Sequence, residues 1–364
     1  MMNKMEFFDS ELNNLSSEEL ILLINKAKDK LEEIKEEDDD RYEPLIEKQR
    51  RFTVFPLDYN NMDVWRMYKQ QMAAFWRAEE INFSNLKNEY NKLTHDEQHF
   101  MKMVLAFFAG SDGIVNFNIA TRFLQEITSM EVNIVYVFQM MMENIHGETY
   151  SLMLDSVISD PTEKNRLFNA IENFDSVSLM SNWAFKWIES SERLAYRIMA
   201  FCIIEGVFFS GAFAAIFWFK KYNSAKLEAF YKSNELIAKD EGMHVQFGIM
   251  LYHKIRNKLS QNETNEIMTD AVNIAEHFIL EALPITLIGM NSDLMIQYIK
   301  YVADRLTVEL GYSKIFNVQN PFTFMETIGL SIKTNFFEQR ETTYQDAYIM
   351  NEGFDIIIDD DADF

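Results

Sequence analysis

The chain has 364 residues, with 5 Pro, 11 Gly and a single Cys, and it carries a formal net charge of −23. So few breakers argue against a strand-rich fold, and one cysteine excludes an intramolecular disulfide framework and fits a reducing, cytoplasmic setting. The acidic balance excludes a nucleic-acid backbone as partner, because phosphate binding needs a basic surface.

Residues 1–50 read as an acidic N-terminal extension, with a charged helix over 17–36 capped by Ser17 and made weakly amphipathic by Leu20, Leu22, Leu23 and Ile24. The N-terminus lacks the basic flank and apolar stretch of a secretory signal, so export is not expected. The segment 51–59, with Phe52, Val54, Phe55 and Pro56, is expected to be extended at the entrance to the folded body. From there the hydrophobic period is helical, and helices are expected over 63–79, 94–125, 129–156, 161–174, 178–188, 192–222, 227–258, 262–285 and 292–310. Asp63 is a candidate N-cap, and Thr94 with Glu97 makes a capping box. The pattern describes one all-α domain over 51–337. Over 338–364 the periodicity is lost, and Phe354, Ile356, Ile357, Ile358 and Phe364 stand in an acidic background, which suits a flexible tail that docks on a partner.

One stretch, 198–219, is apolar for about the length of a membrane span. A lone span would carry Glu205 near its middle, at a cost of roughly 2.5–3.5 kcal/mol on insertion scales. A buried helix with one carboxylate aimed inward is the better reading, and no membrane partner is expected.

That carboxylate belongs to a larger pattern. Glu143 with His146 and Glu241 with His244 are two Glu-x-x-His pairs, and in a helix positions i and i+3 share a face. Each pair alone is weak, since a histidine satisfied by a nearby glutamate is the ordinary case. Both, however, lie on otherwise apolar faces, with Ile134, Val135, Phe138 and Met142 around the first and Ile237, Val245 and Phe247 around the second. Asp112, in the apolar stretch 104–115, and Glu205 supply further carboxylates. Two helices carrying Glu-x-x-His and two carrying one carboxylate each is the ligand arrangement of a ferritin-like two-metal bundle. Such a set offers anionic oxygens to bridge two divalent cations, one imidazole for each, and open positions for dioxygen. His95 and His99 lie beside the Thr94 cap in a polar stretch and are expected at the surface. Tyr150, seven residues past Glu143 and four past His146, falls on the same helical face. Phe208, Phe209, Ala212 and Phe213 would surround it with groups that do not exchange protons, as a phenoxyl radical requires. The residues by themselves leave open another two-metal oxidase or oxygenase, in which Tyr150 only packs, and an iron-storage protein.

At these residues the chain is very similar to small subunits of class I ribonucleotide reductase, especially the eukaryotic and large-DNA-virus type. The segments that carry the resemblance are RRFTVFP, FWRAEE, LAFFAGSDGIVNFN, MENIHGETYSL, EGVFFSGAFAAIFWFKK, SNELIAKDEGMH, EALPITLIGMN, YVADRL and KTNFFE. The resemblance implies an all-α ferritin-like bundle, with Asp112, Glu143 and His146 on one metal and Glu205, Glu241 and His244 on the other. Glu143 and Glu241 are then expected to bridge. It also implies two iron ions, with manganese possible, dioxygen to generate a radical on Tyr150, and an apolar pocket made by Phe209, Phe213 and Ile237. Trp76 and Asp240 match a hydrogen-bonded route from His146 to the surface, and Tyr344 the tail tyrosine that passes the oxidising equivalent onward. A homodimer is implied, as is a large catalytic subunit that binds the C-terminal tail. One departure stands out: Lys239 occupies a place where the family carries Arg, and its point charge cannot reproduce a planar fork.

Overall fold

The computed structural model describes residues 16, 19–24, 26, 43–46, 50–281 and 290–325, and among these there is no strand. The long helices are α1 (Met62–Ala73), α2 (His95–Asn118), α3 (Met130–Val157), α4 (Asp175–Ile188), α5 (Leu194–Ile203), α6 (Phe209–Tyr222), α7 (Glu228–Lys254), α8 (Gln261–Glu281) and α9 (Ser292–Glu309). The capping box at the start of α2 forms as the sequence implies: Glu97 N–H donates to Thr94 Oγ1 at 3.3 Å, and Thr94 N–H donates to Glu97 Oε2 at 2.8 Å. The expected cap Asp63 instead lies inside the first turn of α1, after Asn61.

The most extensive packing joins α2 to α3, and α3 also receives α1. The helices α5 and α7 cross closely, and α8 packs on α9. Gly248 permits the first of these crossings, since a Cβ there would sit 2.6 Å from Cys202 Sγ, nearer than any packed core tolerates. Helical stretches His95–Glu126 and Leu194–Tyr222 are both long and apolar enough to cross a membrane. In the second, 89% of the apolar window is buried inside the protein, so this surface is already used by the core, as expected for 198–219.

Several expected helices break where the chain has something to place. The helix expected over 63–79 stops at Ala73, and a 3₁₀ turn follows at Ala78–Glu80. Between them Trp76 leaves the helical path and becomes 3% exposed with its indole turned inward. The helix expected over 94–125 changes to a π-helical turn at Ile119–Phe123, and that over 192–222 contains another at Ile204–Phe208. The stretch 161–174 divides at Asn169, α4 starts three residues before 178, and α7 ends at Lys254 rather than 258. A short helix, Leu86–Tyr90, was not expected. The segment 51–59 enters the body as irregular chain that reaches a 3₁₀ turn at Tyr59–Asn61. Of the helix expected over 17–36, residues 19–24 and 26 are helical, and Ser17, the rest of that helix, 282–285 and the tail 338–364 lie outside the described residues.

Asp304, within YVADRL, explains why that segment is distinctive. It is 1% exposed, and its Oδ1 accepts from the backbone N–H groups of Ile315 and Phe316 at 2.8 Å each, so it pins the chain that leaves α9. Hydrogen bonds to a charged acceptor contribute about 1.5–3 kcal/mol each. Asp304→Ala is therefore expected to lower the thermal unfolding midpoint by several degrees, at about 2–4 °C per kcal/mol, while leaving metal content unchanged.

Candidate metal centre

Four elements bring the chemistry together: α2 supplies Asp112, α3 Glu143 and His146, the π-helical turn Glu205, and α7 Glu241 and His244. None of the six is more than 3% exposed. Ligand atoms of Glu143, Glu205, Glu241 and His244 all lie within 4.8 Å of one another, as do those of Asp112, Glu143 and His146.

The contacts show which side chains face both groups. Glu143 places Oε2 3.2 Å from His146 Nδ1 and Oε1 3.0 Å from His244 Nδ1. Glu241 does the converse, with Oε1 3.0 Å from His146 Nδ1 and Oε2 3.1 Å from His244 Nδ1. Each glutamate thus spans the two imidazoles, as a bridging carboxylate must.

The donor set fits a pair of divalent ions. Four carboxylates carry up to four negative charges in a low-dielectric core, and two divalent cations offset that number. Both oxygens of Asp112 and Oε2 of Glu205 are buried without a hydrogen-bond partner, an arrangement that a metal ligand explains and a structural carboxylate does not. Burial and the Glu143 carboxylate push Asp112 well above the usual carboxylate range, and burial with Glu241 does the same to Glu205. Burial alone would raise Glu241 too, but the hydrogen bond from His146 and the charge of His244 outweigh it and hold this carboxyl low. Burial alone would lower His244, but Glu143 and Glu241 overcome it and push the imidazole up to about 10. Without metal, protons hold this cluster together, and a bound cation displaces them.

Around the six stands a shell of oriented partners. Gln139 is fully buried one turn before Glu143, and its Nε2 donates to Glu143 Oε1 at 3.3 Å and Glu205 Oε1 at 3.1 Å. His146 Nε2 lies 3.0 Å from Asp240 Oδ2, which also accepts from Trp76 Nε1 at 2.7 Å. The Trp76 and His146 rings stack at 6.0 Å. An imidazole tied through its far nitrogen to a carboxylate is fixed in orientation, which leaves Nδ1 for the cluster. Lys239, next to Asp240, is half-buried.

Tyr150 is fully buried on α3 and stacks on Phe108, with centroids 4.8 Å apart and planes 6° from parallel. Phe213 and Phe209 meet Phe108 at 4.8 Å and 5.5 Å, and Ile237 is fully buried. Burial and the charge of Asp112 push the Tyr150 phenol well above its ordinary range, so its oxygen keeps its proton. Sequence reading missed three members of this neighbourhood: Phe108, Gln139 and Asn234, the last accepting from the Tyr150 hydroxyl at 3.0 Å. Their signal was present but faint, since Gln139 lies four residues before Glu143 and Asn234 seven before Glu241, each on its ligand's face. His95 is exposed, as expected, and so is His99. Tyr344 lies outside the described residues.

Residues 51–321 match the family model described as ribonucleotide reductase, small chain. The chain is 49% identical over 324 residues to ribonucleoside-diphosphate reductase subunit M2 of Mesocricetus auratus, which covers 88% of this chain and 82% of the hamster protein. It is 49% identical over 311 residues to the ribonucleoside-diphosphate reductase small chain of Variola virus, with 85% and 96% covered. Among solved structures, the ribonucleotide reductase Rnr4 homodimer from Saccharomyces cerevisiae superposes with a TM-score of 0.72 at 31% identity, over 91% of this chain and all of that one.

The geometry makes a stoichiometric forecast. Metal analysis of the reconstituted protein should find two ions per chain, with protons released on binding, so that uptake weakens as pH falls. Because Glu143 and Glu241 each face both imidazoles, Glu143→Ala or Glu241→Ala should reduce content below one ion per chain.

Proposed function

The chain belongs to the family of ribonucleotide reductase small chains, and on that footing we propose that it is the radical-generating small subunit of a ribonucleoside-diphosphate reductase. The observation that supports this reading is the fully buried Tyr150 one turn past His146 on α3, the helix whose Glu143 belongs to both clusters of candidate ligands. Asp112, Glu143 and His146 would hold one ion, Glu205, Glu241 and His244 the other, and iron and manganese both accept this ligand set. When bound, the pair would supply the redox chemistry that reduces dioxygen and draws one electron from Tyr150.

The chain's own residues set the conditions for that event. Gln139 fixes the glutamates of the two halves against each other through one amide. Phe108 covers the face of the Tyr150 ring and is backed by Phe209 and Phe213, and none of the three offers a labile hydrogen. His146, Asp240 and Trp76 form a continuous hydrogen-bonded line from the cluster, along which an oxidising equivalent would travel. Tyr344 would continue that route, and the tail 338–364 would dock on the large catalytic subunit, where ribonucleotides are reduced to deoxyribonucleotides. Two copies would form the working homodimer, in the cytoplasm.

Reconstitution with iron or manganese and dioxygen, followed by electron paramagnetic resonance, tests the proposal. Tyr150→Phe should retain both metals and lose the tyrosyl doublet. Trp76→Phe should keep the doublet yet bring turnover with a large subunit to background, and deletion of 351–364 should do the same. A doublet that survives Tyr150→Phe would assign the radical elsewhere.

A further inference from the structure

Tyr150 is not hydrogen-bonded to the metal cluster beside it. Its hydroxyl donates to Asn234 Oδ1 at 3.0 Å, on α7, and Asn234 is fully buried. The other end of that amide is committed, because Nδ2 donates to the Phe230 carbonyl at 2.7 Å. A carbonyl oxygen only accepts, so this second bond dictates which way the amide points, and the phenol therefore meets oxygen. The ring has little freedom to escape, being stacked on Phe108.

We propose that Asn234 is a positioning residue for the radical chemistry, holding the Tyr150 hydroxyl on a neutral, non-basic acceptor and thereby fixing the ring and favouring the reduced phenol over the radical. The idea rests on the function proposed above. A hydrogen-bonded phenol is stabilised by its O–H group, and a phenoxyl oxygen has none to give. Dioxygen reduced at the metal pair would take one electron and the phenolic proton, both ending in water, and the phenoxyl left behind would face Asn234 acceptor against acceptor, since the amide could turn its N–H inward only by abandoning Phe230. Asn234 thus works against the radical, which keeps it strongly oxidising towards the route through Trp76.

The test uses the full chain in two states. In the metal-free protein carrying 3-fluorotyrosine at its 15 tyrosine positions, Tyr150→Phe identifies the Tyr150 resonance in the ¹⁹F spectrum. Asn234→Leu should shift that resonance. Asn234→Asp should hold it near its original position, because a buried neutral carboxylic acid of the same shape accepts from the phenol and donates to Phe230. In the metal-loaded protein, Asn234→Leu should alter the β-methylene hyperfine splitting of the radical and slow its loss to a one-electron reductant, by up to about tenfold for one hydrogen bond. An unmoved resonance in Asn234→Leu, or equal shifts in the Leu and Asp variants, would overturn the assignment. Failure of the wild-type protein to form any tyrosyl radical would instead overturn the proposed function, with the ¹⁹F result still deciding whether Asn234 holds the phenol.

Discussion

Charge buried in an apolar core is the constraint on which the rest of this structure depends. Asp112, Glu143, Glu205 and Glu241 stand within a few ångströms of two imidazoles, almost wholly removed from water. Carboxylates so placed cannot all ionise unaided, because the desolvation and mutual repulsion of each far exceed what one hydrogen bond returns. A metal pair resolves the conflict, and long helices with thick packing hold the six side chains in place for it. The π-helical turn at Ile204–Phe208 fits the same demand. Its extra residue shifts the register of α6, so that Glu205 joins the cluster while Phe209 and Phe213 meet Phe108. Such turns occur mostly where a helix serves a site.

The polarity around the cluster is strongly uneven. Gln139 joins Glu143 to Glu205, and Asp240 joins His146 to Trp76, all through directed hydrogen bonds between buried groups. Tyr150, by contrast, is fully buried with its ring stacked on Phe108 and its hydroxyl on the Asn234 amide. In the proposed function, burial would insulate an oxidising equivalent on Tyr150, and the line through Asp240 and Trp76 would carry it away.

Most of the site was legible in the sequence, and the reason is periodicity. Glu143 with His146 and Glu241 with His244 can be read because i and i+3 must share a face, and Asp112 and Glu205 because an acid is conspicuous among apolar neighbours. The polar partners were not so visible. Gln139 and Asn234 are uncharged amides that look like ordinary solvent-facing helix residues until the helices are assembled around them. Phe108 lay within a recognised apolar run, but nothing in that run distinguished it from Phe107 as the ring that stacks on Tyr150. Helix existence was read well and helix continuity poorly. The π-helical turn at Ile119–Phe123 and the departure of the chain before Trp76 have no glycine or proline to announce them, and the turn at Ile204–Phe208 offers only Gly206 in an otherwise helical pattern.

The central claim is that the six donors converge on one pair of ions rather than on scattered single sites. X-ray absorption at the metal edge of the loaded protein addresses it most directly. The arrangement of Glu143 and Glu241 predicts a metal–metal scattering shell at about 3.5–4 Å, the usual separation in two-metal sites, with nitrogen and oxygen as the only light neighbours. A spectrum of isolated ions, with no metal neighbour in that range at full loading, would contradict it.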